Sequence, residues 1–286
     1  MLTPDARIKW NQQAGQRWLS WDCLPPTEYL SSIESLRLRT VDSTKPFPKA
    51  VGKLPRLKYL SMPLQYADVL SDDWFPPTIE TLSFNENTDS TSKGSIQSKV
   101  VFPSVKRVEC GTGYLYFRQD NFPCLSDISL RFDSRRKIVD QLLRYNCLEY
   151  VFVGPISNQE DLQLLSRLHP IYLGLSSGNL ITLKPLEQFE NVEHLWLHSL
   201  NKLTDITAIG TMPLLRSVEM LYCTRVEDLR PLLLAKRLQS LSIVQCKNIQ
   251  LAAVADDLIA LGLEELSISG DKHLYERDGK WITNAK

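Results

Sequence analysis

The nine residues "VEHLWLHSL", Val192 to Leu200, decide how this chain folds. Read as a strand, they send Leu195 and Leu197 to one side and His194, Trp196 and His198 to the other, because side chains alternate across a strand. The underlying pattern is apolar, two variable residues, apolar, one variable, apolar. It recurs eleven times: "IESLRL" (33–38), "LKYLSM" (57–62), "IETLSF" (79–84), "VKRVEC" (105–110), "LSDISL" (125–130), "LEYVFV" (148–153), "LHPIYL" (168–173), "VEHLWL" (192–197), "LRSVEM" (215–220), "LQSLSI" (238–243) and "LEELSI" (263–268). The middle apolar positions run from Leu36 to Leu266 at spacings of 20 to 26 residues, and ten spacings over 230 residues make a mean period of 23. A fixed period of this size is the signature of a solenoid, because one unit cannot bury its own apolar edge and its neighbours must stack to make a core.

Working outward, the 286-residue chain is 43% hydrophobic, enough for a substantial core. Its 33 Lys and Arg equal its 33 Asp and Glu, so there is no net field to attract nucleic acid or an anionic bilayer. The start "MLTPDARIKWNQQ" lacks a signal-peptide core, and no run approaches the roughly 20 apolar residues of a membrane span. The expected location is cytoplasmic. The six cysteines form no CxxC pair and read as reduced thiols, with Cys110, Cys223 and Cys246 in repeat positions that suit buried, structural sulfur.

The stretch "LEQFENVEHLWLHSLNKLTDITAIGTMPLLRSVEMLYCTRVEDLRPL" resembles internalin-like and phosphatase-regulator-like leucine-rich repeats, and the likeness covers about residues 32–269. The resemblance implies a right-handed α/β solenoid of about eleven repeats, with short parallel strands on a concave face and a convex side of mixed short helix and extended chain. Residues 1–31 are expected to cap the first end, 32–270 to form the solenoid and 271–286 to close the other end as a hairpin turning at Asp278-Gly279, all as one continuous domain. Ser157 and Glu160 have capping-box spacing before a short helix in "SNQEDLQLLSRL". "SRRKIVDQLLRYN" and "IQLAAVADDLIALG" also read as helical, whereas the returns after the eighth and ninth repeats read as extended. The polar 85–99 segment reads as a mobile surface loop.

Two motifs point to chemistry and are outweighed. "GLSSG" (174–178) matches a nucleophile elbow with Ser176 as nucleophile, but "NLITLKPL" is a poor helix start and nothing orders Asp205 or His273 around it. His194 and His198 have the spacing of a helical zinc pair, yet on a strand they stand roughly 13 Å apart, too far to share an ion. No metal, cofactor or catalytic residue is expected.

What remains is the face made by the variable positions. Tyr150, Phe152, Tyr172, His194, Trp196 and His198 fall on three adjacent strands and make one aromatic patch, with Glu219 on the next strand. Arg37, Arg39, Arg107 and Arg131 make a looser basic stripe suited to carboxylates. Exposed aromatic clusters rimmed by polar groups act as binding hot spots. The expected function is therefore a non-enzymatic module that grips a folded protein, without nucleic acid, membrane or small-molecule substrate. The resemblance adds that stand-alone proteins of this kind serve as inhibitors, including bacterial immunity proteins that neutralise toxins, or as adaptors and regulatory subunits.

Overall fold

The computed structural model describes residues 17–20, 33–39, 46–47, 49–86, 88–132, 137–146, 148–156, 158–269, 274–277 and 280–283. The chain divides into two compact units, residues 1–145 and 146–286. Its architecture is that of a leucine-rich repeat solenoid: short parallel strands joined by compact returns.

In the first unit, β1 (Arg17–Ser20), β2 (Ser35–Arg39), β3 (Tyr59–Ser61), β4 (Thr81–Ser83), β6 (Arg107–Cys110) and β8 (Asp127–Arg131) pair in that order, all parallel. β1 comes from the segment before the first repeat and adds one strand at the edge. In register, Leu36, Leu60, Leu82, Val108 and Ile128 form a ladder with 0% exposure. Each such residue contributes on the order of 2 kcal/mol by leaving water. Behind the strands Phe75 meets Phe102 edge-on at 5.0 Å between ring centroids, and Phe102 stacks on Phe122 at 5.4 Å. Asn121, fully buried, donates to the carbonyls of Gln97 (2.9 Å) and Val100 (2.6 Å) and accepts from the Arg118 N–H (2.7 Å). It thereby satisfies backbone groups that the turns leave unpaired.

The 85–99 segment is organised in the structure. Within it β5 (Lys93–Ser95) pairs with β7 (Tyr114–Tyr116), Thr88 bonds to the Phe84 carbonyl and the Leu64 N–H, and Asp89 closes a turn through Thr91 and Ser92. The polar composition that suggests mobility supplies the turn's own hydrogen bonds.

In the second unit, β9 (Tyr150–Gly154), β10 (Tyr172–Ser176), β11 (His194–His198), β12 (Ser217–Leu221), β13 (Ser240–Val244) and β14 (Glu265–Ser269) run parallel in chain order. Its core ladder is Val151, Leu173, Leu195, Val218 and Leu241, each at most 1% exposed. The seventh repeat therefore sits two residues later than "LHPIYL" implies: Leu173, not Ile171, aligns with Val151 and Leu195. Pro170 occupies the leading apolar slot of that repeat and is buried.

Four successive strands, β10 to β13, leave the sheet the same way. Ser177, Ser199, Tyr222 and Gln245 adopt left-handed φ values of 57°, 56°, 55° and 56°. The first three donate their N–H groups to His198, Leu221 and Val244 carbonyls of the following strand. A non-glycine residue pays roughly 1 kcal/mol for this conformation, and the repeated inter-strand hydrogen bond offsets it. The turn drops Leu200 and Cys223 into the core at 0% exposure, and Cys246 follows at 8%.

The returns carry α1 (Lys137–Leu142), α2 (Gln159–Leu165) and α3 (Ala255–Ala260) where helices are expected. The cap of α2 is Asn158, accepting from the Asp161 N–H at 2.8 Å; Ser157 lies outside the described residues. After the eighth and ninth repeats the returns are 3-10 turns (Thr207–Thr211 and Arg230–Leu234), not extended chain, because Ile206 and Leu229 anchor the i→i+3 bonds of Ile209 and Leu232. β15 (Leu274–Arg277) and β16 (Lys280–Thr283) pair antiparallel around residues 278–279, which lie outside the described set. No helix among the described residues is long and apolar enough to cross a membrane.

Candidate functional site

The open face of the second unit is built from the residues that alternate with its core ladder. Strand register arranges them in three rows. One runs Phe152, Gly174, Trp196, Glu219, Ser242, Ser267; a second runs Tyr150, Tyr172, His194, Ser217, Ser240, Glu265; a third runs Ser176, His198, Leu221, Val244, Ser269.

Gly174 determines how the rings meet. Phe152 and Trp196 lie two strands apart, roughly 9.6 Å across the sheet, yet their ring centroids are 4.9 Å apart at 41°. The Phe152 ring occupies the space a side chain at 174 would fill: a β-carbon there would stand 2.0 Å from Phe152 Cδ2. Missing one side chain, the sheet lets two rings close over the gap, an aromatic pair contributing about 1 kcal/mol beyond its burial.

From this pair the rings extend in both directions. Trp196 meets His198 at 6.1 Å, and His198 meets Tyr222 edge-on at 5.9 Å and 89°. In the second row Tyr150 stacks on Tyr172 at 4.2 Å, and Tyr172 on His194 at 6.3 Å. Tyr222 was not foreseen as a face residue; at 47% exposure it is the most open ring of the array, held out by its left-handed backbone. Tyr150, by contrast, is only 7% exposed and acts as the floor under Tyr172. Among the described residues the Trp196 indole N–H is buried without an acceptor. An unmet donor costs on the order of 1–3 kcal/mol.

Beside the rings stands Glu219, cross-strand from Trp196 on one side and Ser242 on the other. Burial among these neighbours pushes its carboxyl above the ordinary carboxylate range. No Lys or Arg occupies any face position of β9 to β14. The nearby Arg216, at the entrance to β12, is engaged with Glu193 at 3.3 Å.

The first unit's face is different in kind. Arg107 Nε pairs with Glu109 at 2.6 Å, and Arg37 faces Glu86 at 3.9 Å. Arg131 lies over the Tyr114 ring at 5.0 Å and donates to the Thr112 carbonyl at 3.4 Å. The side chain of Arg39 lies outside the described residues. The arginine stripe is thus matched locally by carboxylates and a ring, and Ser35, Ser61, Thr81 and Ser83 between the charges are buried.

Among the described residues no acid–base pair is ordered around Ser176. This residue ends β10, Ser177 turns left-handed, and Gly178 bridges to Ile156, so no helix follows the supposed elbow. Asp205 is occupied by Thr182 Oγ1 (2.6 Å) and the Thr207 N–H (2.9 Å) and hydroxyl (2.7 Å), which hold its carboxyl below the usual range. His273 lies outside the described residues. His194 and His198 sit at opposite ends of one strand, and no group of three metal-ligating side chains occurs among the described residues. Cys110, Cys223 and Cys246 are buried free thiols; burial pushes the Cys110 thiol up to about 12.

No family model and no curated protein matches the chain. Solved structures similar to it include an internalin of Listeria monocytogenes, 15% identical over 84% of this chain and 68% of that one, with a TM-score of 0.46. A second internalin of that organism is 13% identical over 76% and 73%, at 0.29. A leucine-rich repeat protein of Leptospira interrogans is 16% identical over 94% and 69%, at 0.39. With TM-scores below 0.5 these likenesses carry no weight of their own, and the repeat architecture rests on the strand register.

Proposed function

We propose that the chain is a protein-binding module that recognises a folded partner with the open face of β9 to β13. The observation that carries this reading is the unbroken array Phe152, Trp196, His198, Tyr222, four rings in contact beside Glu219 on the open side of the sheet. Rigid aromatic rings supply large contact area with little side-chain entropy to lose, which is why they concentrate at binding hot spots.

The finer reading is an inhibitor in the cytoplasm, such as a toxin-neutralising immunity protein, acting by covering its partner. Its support is what the resemblance to leucine-rich repeat proteins implies, inhibition being one of the roles such proteins serve, together with the free, exposed thiol of Cys124, which suits a reducing compartment. The test is capture from the native cell with three baits: the wild-type chain, Trp196→Ala and Phe152→Ala. The reading expects a protein retained by the first and lost by the other two, and whose own activity falls when the wild-type chain is added. Retention by all three baits would place recognition elsewhere on the molecule. A captured protein that stays active while a second one joins it would make the chain an adaptor.

A further inference from the structure

We propose that the face seats a cationic side chain of the partner, Arg above all, flat on the Trp196 ring with its charge against Glu219. This rests on the reading of the face as a protein-binding surface and names the chemistry that it takes.

The two faces of the chain treat carboxylates in opposite ways. In the first unit, two acids on the face have cations of their own: Glu109 pairs with Arg107, and Glu86 faces Arg37. In the second unit Glu219 is half-buried, and among the described residues no Lys or Arg reaches it. β11 presents Trp196 and His198 to it, β13 presents Ser242, and β14 beyond offers Ser267 and Glu265. Burial raises the carboxyl's proton affinity, the cost of holding an acid beside an indole with no base.

A bound cation removes that cost, and it also meets what the rings offer. The faces of Trp196 and Phe152, tilted 41° to each other, carry the negative quadrupole that attracts ammonium and guanidinium groups. Guanidinium fits better than ammonium, because it is planar, stacks on rings, sheds water readily and can donate two parallel hydrogen bonds to one carboxylate. The rival occupants fit less well. An apolar segment would strip the remaining water from Glu219 and return no charge, while a phosphate backbone would be repelled by Glu219 and Glu265.

The experiment pans a phage-displayed random peptide library on the full chain. Enriched peptides are synthesised with each Arg in turn replaced by citrulline, its neutral near-isostere. Fluorescence anisotropy then measures binding to the wild type, Glu219→Gln, Trp196→Ala and Phe152→Ala, with thermal unfolding confirming that each variant is folded. The expected result is Arg-bearing peptides in which one citrulline substitution weakens binding to the wild type about tenfold or more. On Glu219→Gln the same substitution should cost under about threefold, because the charge partner is gone. Peptides without a cation, citrulline binding as well as Arg, or no enrichment would each overturn the proposal. If such peptides still depend on Trp196 and Phe152, the protein-binding face survives that failure. Peptides indifferent to both ring variants would overturn the face as well.

Discussion

Gly174→Ala probes the geometry of the ring array without any partner. The backbone at 174 lies outside the left-handed region, so alanine fits its conformation, and by itself the change favours folding by about 0.5–1 kcal/mol through reduced freedom of the unfolded chain. The new β-carbon would stand 2.0, 2.9 and 3.0 Å from three carbons of the Phe152 ring, against a contact distance of about 3.5–4.0 Å. The ring must therefore withdraw by roughly 1.5–2 Å, forfeiting its pairing with Trp196, about 0.5–1.5 kcal/mol, and some burial besides. In the wild-type background we expect a net loss of about 1 kcal/mol. With Phe152→Ala the obstacle is gone, and Gly174→Ala should stabilise by about 0.5 kcal/mol. The double-mutant cycle, read by urea unfolding at pH 7, should give a coupling of about 1.5 kcal/mol. Additivity within about 0.3 kcal/mol would refute the reasoning, because it would mean that the Phe152 ring does not lie over residue 174.

Three further outcomes follow from the same contacts. Gly178→Ala combines φ of +107° with a β-carbon 1.9 Å from the Ile156 carbonyl oxygen, so unfolding measurements should show a loss of about 3 kcal/mol or more. Asn121→Ala removes three hydrogen bonds at a fully buried site and should cost about 2–4 kcal/mol by denaturant titration, a value near zero meaning that the turns find other partners. Glu219 has a raised carboxyl affinity in the folded state, so the native protein binds the proton more tightly than the unfolded chain. Its stability contribution is full at low pH and is lost as pH rises through the folded value. Glu219→Gln should therefore melt higher than the wild type at pH 7 and converge with it below about pH 4, whereas a variant less stable at pH 7 would contradict the burial cost.

Much of the fold was legible because alternation and period are properties of the chain itself. Leu195 and Leu197 against Trp196 announce a two-faced strand, and a period of 23 announces stacking. The site was legible less completely, and for physical reasons. Gly174 has no side chain to signal a role, and its position beside Phe152 and Trp196 appears only when the repeat is aligned at Leu173; counting 22 residues on from Val151 would have found it. Tyr222 follows its strand by one residue, beyond the alternation, and reaches the face only through a left-handed turn. The pairing of Arg107 with Glu109 was within reach, two residues apart on one strand; that of Arg37 with Glu86 depends on how a return folds back. The 85–99 segment misled because pairing with Tyr114–Tyr116 is non-local, and local composition cannot report it.

The recognition face exists only if each strand sends one residue inward and the next outward, whatever their chemistry. Met220 and Leu221 are adjacent and both apolar, but Met220 is fully buried while Leu221 belongs to the open face. Met220→Asp should cost about 4 kcal/mol or more in unfolding free energy, and Leu221→Asp about 1 kcal/mol or less. Equal losses, or the larger one at Leu221, would mean that β12 does not separate a core from a recognition face.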